Sequence, residues 1–374
     1  MAERRKPAKS EKKITTSRKK DHVDIILKED VRARANAWDD VALLHEAMPE
    51  VDLPSVSLAT TFLGARLEAP VMIASMTGGY PDAERINGNL AAAAAEAGVA
   101  LGVGSQRAAL VDPSQKRTFS VVRKHDVPFV AANIGAPQLV PQGGKRPLSR
   151  ADVSEIVAMV EADALIVHLN FLQEAAQPEG DLAAAGVEHA IRDLAGDLGI
   201  PVIAKETGAG MRRPTAERLR KCGVAALDVG GLSGTTFAAV ELFRARKERD
   251  EAHVRVGELY RDWGVPTVAS LVESRVGLPV VATGGLRSGL DAARAMALGA
   301  TLAGYASAAL HPANVSGRKC AEFLGHVAHE LKVACFLTGA RSAADLAAKP
   351  VLVGGHSARW LEALGHPVAS WAKR

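Results

Sequence analysis

The run ALIVHLN, residues 164–170, reads as a buried strand, yet polar side chains crowd its end. His168, Asn170, Gln173 and Glu174 come first, followed by Gln177 and Glu179 in QPEGD. Glu174 is the one carboxylate among the neutral donors of HLNFLQEAAQ. A single carboxylate with neutral partners suits magnesium, which keeps several waters and shares its other positions with substrate phosphates. Zinc asks for more His or Cys. A lone Glu on a loop is more often simply solvated, so spacing by itself leaves both readings open. Two further stretches point to anions. TGGLRSGLDAARA runs from an apolar segment into a helix, and its glycines let backbone N–H groups approach a phosphate at the helix N-terminus. Arg287 would add a charge-assisted donor there. GVGSQR puts Arg107 where a dinucleotide fingerprint needs its third glycine, so it fits a second anion site or a rim salt bridge better.

These groups need a scaffold that gathers strand ends. From residue 70 the chain repeats a short apolar run, a polar or Gly-rich tip and a helical stretch. The runs are PVMIASMTGG, VALGVGSQR, PFVAANIG, ALIVHLN, PVIAKETG, ALDVGG, LPVVATGG and TLAGYAS. Pro70, Pro128, Pro201 and Pro279 open four of them, where a missing N–H is tolerated. Strands buried on both faces and alternating with helices imply a parallel sheet covered by helices. Eight such units predict an α/β fold, a closed (β/α)₈ TIM barrel, with an open doubly wound sheet as second choice. In such barrels the C-terminal strand ends carry the site. Outside the repeat lie an N-terminal cap (22–69), a charged insertion (ELFRARKERDEAHVRVGELYRDWG) between strands 6 and 7, and a helical C-terminal tail. Residues 1–17 read as a disordered basic tail and 18–374 as a single domain.

Composition narrows the function classes. Hydrophobic content of 48% supplies a core for one large domain. Basic residues concentrate in the first twenty positions, but aromatics are only 4% of the chain and no stacking platform or zinc spacing occurs, so no nucleic-acid partner is expected. Cys222, Cys320 and Cys335 are odd in number and far apart, which argues against a disulfide framework. With no membrane-length apolar run and no apolar signal core, a cytoplasmic protein without a membrane partner is expected.

Taken together, RKKDHV, PVMIASMTGG, GVGSQR, HLNFLQEAAQPEGD, PVIAKETG, DVGGLSGTTF and GGLRSGLDAARAMALGA resemble the type 2 isopentenyl diphosphate isomerases, from Arg18 to about residue 340. The HLN-x-x-QE string followed by QPEGD is the most specific carrier. The resemblance implies interconversion of isopentenyl and dimethylallyl diphosphate with FMN, Mg2+ and NADPH as reductant, in isoprenoid biosynthesis. It places FMN contacts at Ser75, Met76, Thr77 and Ser105, then at Asn133, Lys205 and Thr235. The rest fall at Gly285, Leu286 and Arg287 and at Ala306 and Ser307. Diphosphate contacts would be Arg18, Lys19, Ser105, Gln106 and Arg107, and Arg18 and Lys19 would order only on binding. His168 and Asn170 would line the substrate pocket, Gln173 would face the isoprenyl group, and Glu174 would hold the metal. A homotetramer or homo-octamer is implied. The chain departs from the family at Asp21, Phe171, Gly230, Ser233 and in GYASAAL from Tyr305.

Moving an unactivated double bond requires protonation at one carbon and proton removal two carbons away. No strong acid is free among these residues: Glu174 is committed to metal and Gln173 supplies no proton readily. Reduced FMN is therefore the expected acid–base catalyst, with Gln173 and His168 as the catalytic side chains that position the alkene and relay the proton. Two rivals stand beside this reading. One is an FMN-dependent 2-hydroxy acid oxidase, which would need a strand-end His–Arg pair. The other is a non-catalytic barrel that binds flavin or a prenyl diphosphate.

Overall fold

The structure is a computed structural model that describes residues 9–374, with side chains from residue 16. Eight parallel strands close into a barrel in sequence order. They are β1 (Val71–Ile73), β2 (Ala100–Gly102), β3 (Val130–Gly135), β4 (Ala164–Leu169), β5 (Val202–Glu206), β6 (Ala226–Asp228), β7 (Val280–Thr283) and β8 (Leu302–Tyr305). Closure comes from β8 on β1, with Tyr305 opposite Ile73. Each of the eight apolar runs supplies one strand, as the pattern predicts.

The barrel interior is filled from one end. A hairpin of Thr60–Phe62 and Ala65–Leu67, turning at Gly64 with φ 90°, sends Phe62 and Leu67 among Met72, Phe129, Ile166 and Ile203. Phe62 meets Phe129 edge to face at 5.3 Å. Phe129 immediately precedes β3, so this plug closes the N-terminal end and leaves the C-terminal strand ends open. Ala100, Ala131, Ala164 and Ala226 at the inner wall leave room for it. Burying such an aromatic side chain contributes about 1.5–3 kcal/mol.

Three helices outside the repeat matter for the mouth. They are α1 (Lys9–Lys28), α2 (Phe171–Ala176) and α3 (Phe237–Glu248), the last paired with α4 (Glu251–Leu259) to form the insertion. The insertion lies between β6 and β7, as expected. The expected boundary at residue 17 falls inside α1, which begins at Lys9; residues 1–8 lie outside the described residues. Helix α1 lies across the mouth and packs on α3 through Lys247–Asp21 at 2.6 Å and His22–Glu241 at 2.8 Å. The cap also reaches the loop after β7: Asn36 Nδ2 donates to Gly285 O (2.8 Å) and Trp38 Nε1 to Gly284 O (2.9 Å). A strand pair, Val41–Leu43 with Val351–Val353, ties the cap to the C-terminal tail.

Candidate active site

Every expected site residue except Gln106 lines one cavity of 720 Å³ at the C-terminal strand ends, within the usual range for a small-molecule site of about 300–1,000 Å³. Gln106 is fully buried in the wall instead. Its Nε2 donates to Ile156 O (2.8 Å) and its Oε1 accepts from Asn133 N–H (3.0 Å). Ser105, Gln106 and Arg107 follow one another where the chain turns, and three consecutive side chains do not share one face. The diphosphate role expected of Gln106 is therefore corrected: it braces the strand end that carries Asn133.

The floor is built from strand ends. Lys205 Nζ meets Asp228 Oδ2 at 2.8 Å and Thr283 Oγ1 at 3.2 Å, which joins the tips of β5, β6 and β7. Asn133 Nδ2 donates to Val103 O (3.1 Å), so its Oδ1 faces His168 Nδ1 at 2.7 Å. That arrangement puts the imidazole proton on Nδ1. Burial, then the positive charges of Lys19 and Lys205, lower the His168 pKa to about 3. His168 is thus a neutral imidazole at ordinary pH, suited to positioning and not to acting as a strong acid. Glu206, one residue past Lys205, faces away: its Oε2 accepts from the N–H groups of Gly208, Ala209 and Gly210 at 2.6–2.8 Å. Burial pushes its pKa up to about 7 against those donors.

The roof carries the charge. Lys19, on α1, donates to Ser105 O and stands 5.4 Å from the Phe119 ring centroid. Burial, then Arg18 and Arg107, lower its pKa to about 7. Arg107 is paired with Asp181 at 2.6 Å, and Lys145 shares that carboxylate at 2.8 Å. Arg18, which lies 3.9 Å from Glu179, lines the same mouth as Lys19, Ser105 and Arg107.

Helix α2 brings the rest. Asn170 Nδ2 donates to Glu174 Oε1 (2.8 Å) and to Gln173 Oε1 (3.2 Å). Gln173 Nε2 stands 3.5 Å from Glu241 Oε1. Burial pushes the Glu241 carboxyl up, but His22 and Arg244 outweigh it and hold the group below its ordinary range. Arg244 in turn binds Glu241 Oε2 (2.9 Å) and Glu179. Sequence reasoning left His22, Glu241 and Arg244 without roles. A signal was present, since Glu241 and Arg244 stand three apart inside the apolar run FAAVELFRA, the spacing of a buried pair on one helix face.

The phosphate loop differs from its expected form. Glycines let it pack: a Cβ on Gly284 would lie 2.2 Å from Gly231 O, and one on Gly234 2.5 Å from Gly285 N. Arg287 lines the cavity, but its guanidinium is held by Asp39 (2.6 Å) and Asp291 (3.0 Å), and its N–H by Asp291 (3.0 Å). Those hydrogen bonds raise its pKa further. A phosphate would meet an arginine already neutralised by two carboxylates.

The departures from the family pattern also find places. A side chain on Gly230, with φ 45°, would sit 2.0 Å from Glu206 O, so only glycine fits. Ser233 Oγ is used inside the wall, accepting from Ala37 N–H at 3.1 Å. Tyr305 is buried with its hydroxyl on Ser288 O (2.7 Å), away from the cavity. Phe171 lines a separate outer groove with Trp263 and Trp360.

Comparison with known proteins decides the family. The chain is 45% identical to an isopentenyl-diphosphate delta-isomerase of Methanosarcina barkeri over 96% of its own length and 97% of that protein. It is 46% identical to the enzyme of that name from Thermoplasma acidophilum, over 92% of its length and 99% of that protein. The chain belongs to the isopentenyl-diphosphate delta-isomerases. The FMN-dependent dehydrogenase family profile matches residues 20–118 and 187–353, in keeping with a flavin barrel. Solved structures with the same fold include a flavocytochrome b2 variant with pyruvate bound (TM-score 0.63, 15% identity, 87% of this chain and 81% of that one). A lactate oxidase of Pediococcus acidilactici is similar (TM-score 0.58, 14% identity, 90% and 87%). At such identities the likeness carries the fold alone.

The residues present fit FMN, and their donor set would also suit a divalent cation. For FMN, Ser75 Oγ is buried at the cavity with no protein partner, and glycine-built loops bare their backbone beside it. For a divalent cation, Asn170 Oδ1 is buried without a partner beside Glu174. Among the described residues no group of three or more His, Cys, Asp or Glu is placed to hold a metal. That donor set suits an ion which completes its shell from phosphate and water. No described helix is long and apolar enough to cross a membrane.

Proposed function

We propose that the chain interconverts isopentenyl and dimethylallyl diphosphate by a 1,3-allylic proton shift, with FMN and Mg2+ bound and NADPH as the cytoplasmic reductant. The observation that carries this is the gathering of Arg18, Lys19 and Arg107 at one mouth of the cavity, above a floor where His168 is neutral. Arg18, Lys19 and Arg107 bind the diphosphate and fix the substrate's polar end at the roof. Glu174 holds Mg2+, which neutralises phosphate charge when bound. FMN would be held by Ser75, Met76 and Thr77, by Asn133, Lys205 and Thr235, and by the loops at Gly285–Arg287 and Ala306–Ser307. Reduced FMN, once bound, supplies the acid–base chemistry that these side chains lack.

The chain's own residues orient the alkene. Gln173, backed by Glu241 and by Asn170, faces the isoprenyl end and can pass a proton only through its amide. His168 keeps its Nδ1–H on Asn133, which leaves Nε2 as an acceptor toward the cavity. Helix α1 over the mouth excludes water, which protects a cation-like carbon from capture. The active unit is a homotetramer or homo-octamer; largely exposed Leu259 and Trp263 at the insertion give apolar surface for a second copy. The test is to incubate reduced, FMN-loaded protein with isopentenyl diphosphate and to look for dimethylallyl diphosphate. No conversion, or oxygen uptake with a 2-hydroxy acid, would overturn the proposal.

A further inference from the structure

The string QPEGD has so far no job in the reaction, although four of its five residues make specific contacts around Glu174 and its neighbours. Helix α2 ends at Ala176 with Gln177 as its cap, and the chain folds back under it. Gln177 Nε2 donates to Glu174 Oε2, and the Asp181 N–H donates to the same oxygen at 2.8 Å. Gly180 lies flush on the helix backbone: a Cβ there would stand 1.8 Å from Glu174 O. The Asp181 carboxylate faces the other way, onto Arg107 and Lys145. Glu179 binds Arg244.

These contacts treat the two oxygens of Glu174 differently. Oε2 is taken by two donors of the loop, whereas Oε1 has only the Asn170 amide, a residue that lines the cavity. Gln177 is itself buried, and its Oε1 has no partner. Among the described residues, the one hydrogen bond its side chain makes is therefore the one to Glu174. A buried amide left half satisfied is costly, so the position favours an apolar side chain unless that single bond matters. Groups that orient a metal-binding carboxylate in this way tune its affinity strongly.

We infer that the QPEGD loop aims Glu174 at the cation, with Gln177 as the positioning residue: it pins Oε2 so that Oε1 alone is presented to the metal. This rests on the reading that Glu174 takes Mg2+. The loop thereby holds the metal carboxylate through Gln177 and the diphosphate arginine through Asp181, which sets the two binding groups in fixed relation.

The test uses the FMN-loaded protein and inorganic diphosphate as the probe. Mg2+ is titrated calorimetrically in its presence, and diphosphate is titrated separately without metal. Gln177→Met keeps the volume and removes the donor. It should weaken Mg2+ binding about tenfold or more, while metal-free diphosphate affinity, bound flavin and melting temperature stay near the parent's. Gly180→Ala leaves Gln177 in place but pushes the loop off the helix, and should weaken Mg2+ in the same direction; it decides the matter if Gln177→Met loses flavin. Mg2+ affinity within twofold of the parent in both variants would overturn the positioning role. If Glu174→Gln binds Mg2+ as well as the parent, the metal reading of Glu174 falls, and the inference falls with it. A parallel loss of metal-free diphosphate binding in Gln177→Met would make the effect a general collapse of the site and also overturn the assignment.

Discussion

Replacing Lys19 by Met removes an ammonium whose pKa burial, then Arg18 and Arg107, bring down from 10.5 to about 7. In the unfolded chain that lysine stays charged up to 10.5. The folded protein therefore carries the full penalty of a crowded, charged Lys19 below pH 7, and recovers stability as pH rises from 7 toward 10.5. The penalty is at most about 5 kcal/mol. A diphosphate between Arg18, Lys19 and Arg107 reverses the field, so binding should return the proton. At pH 8 roughly nine-tenths of free Lys19 is neutral, and binding should take up about 0.9 proton per diphosphate. Apparent affinity of the parent should then fall by up to about tenfold per pH unit above 7. The assay is calorimetric titration at pH 8 in buffers of different ionisation enthalpy, comparing parent with Lys19→Met. The ligand's own titration is common to both, so the difference isolates Lys19. Lys19→Met should also melt higher than the parent at pH 6 without ligand. Equal proton uptake by the two proteins would refute the reasoning.

Arg107→Ala should raise the KM for isopentenyl diphosphate by about 10- to 100-fold, from the loss of a charge-assisted contact of about 1.5–3 kcal/mol, as steady-state rates will show. The pH–rate profile should have no limb near 6.5 from His168, because its pKa is about 3; a His168→Gln variant that removes such a limb would contradict this. Reconstitution of heat-stripped protein should retain FMN and not FAD, read from the flavin recovered after gel filtration. Turnover in deuterium oxide should label the new methyl group while one reduction supports many turnovers; consumption of one NADPH per product would count against acid–base use of the flavin. Phe62→Ala should cost about 3–5 kcal/mol of stability by denaturant melts, with flavin binding kept under native conditions.

The barrel was legible because strands buried on both faces leave continuous apolar runs between Pro and Gly markers, and all eight runs became strands. Most of the site was legible for a related reason, since polar residues such as Asn133, His168 and Lys205 interrupt those runs where the strands end. What stayed hidden depends on facing and on distance in sequence. Gln106 stands in the middle of a polar tip, and nothing in its neighbours says that its side chain turns into the wall. Helix α1 looked like a solvated tail because its own residues are mostly charged; its partners, Glu241 and Lys247, come more than two hundred residues later. Arg287 looked free although Asp291 stands four residues on, and its second carboxylate, Asp39, lies far off in the cap.

The hairpin plug has a kinetic consequence. With Phe62 and Leu67 sealing the far end of the barrel, traffic to the strand tips runs one way in and the same way out, beneath α1. On the proposed reading a diphosphate held by Arg18, Lys19 and Arg107 would stand across the approach to Lys205 and Asn133, which line the same cavity. The cofactor would then load before the substrate and would stay while the substrate is held. On the same reading reductant and substrate would share that doorway, so recharging the flavin and turning over the alkene would alternate in time. Crowding the doorway with substrate would then slow recharging but not catalysis, and the idle state would be the one in which the flavin can be re-armed.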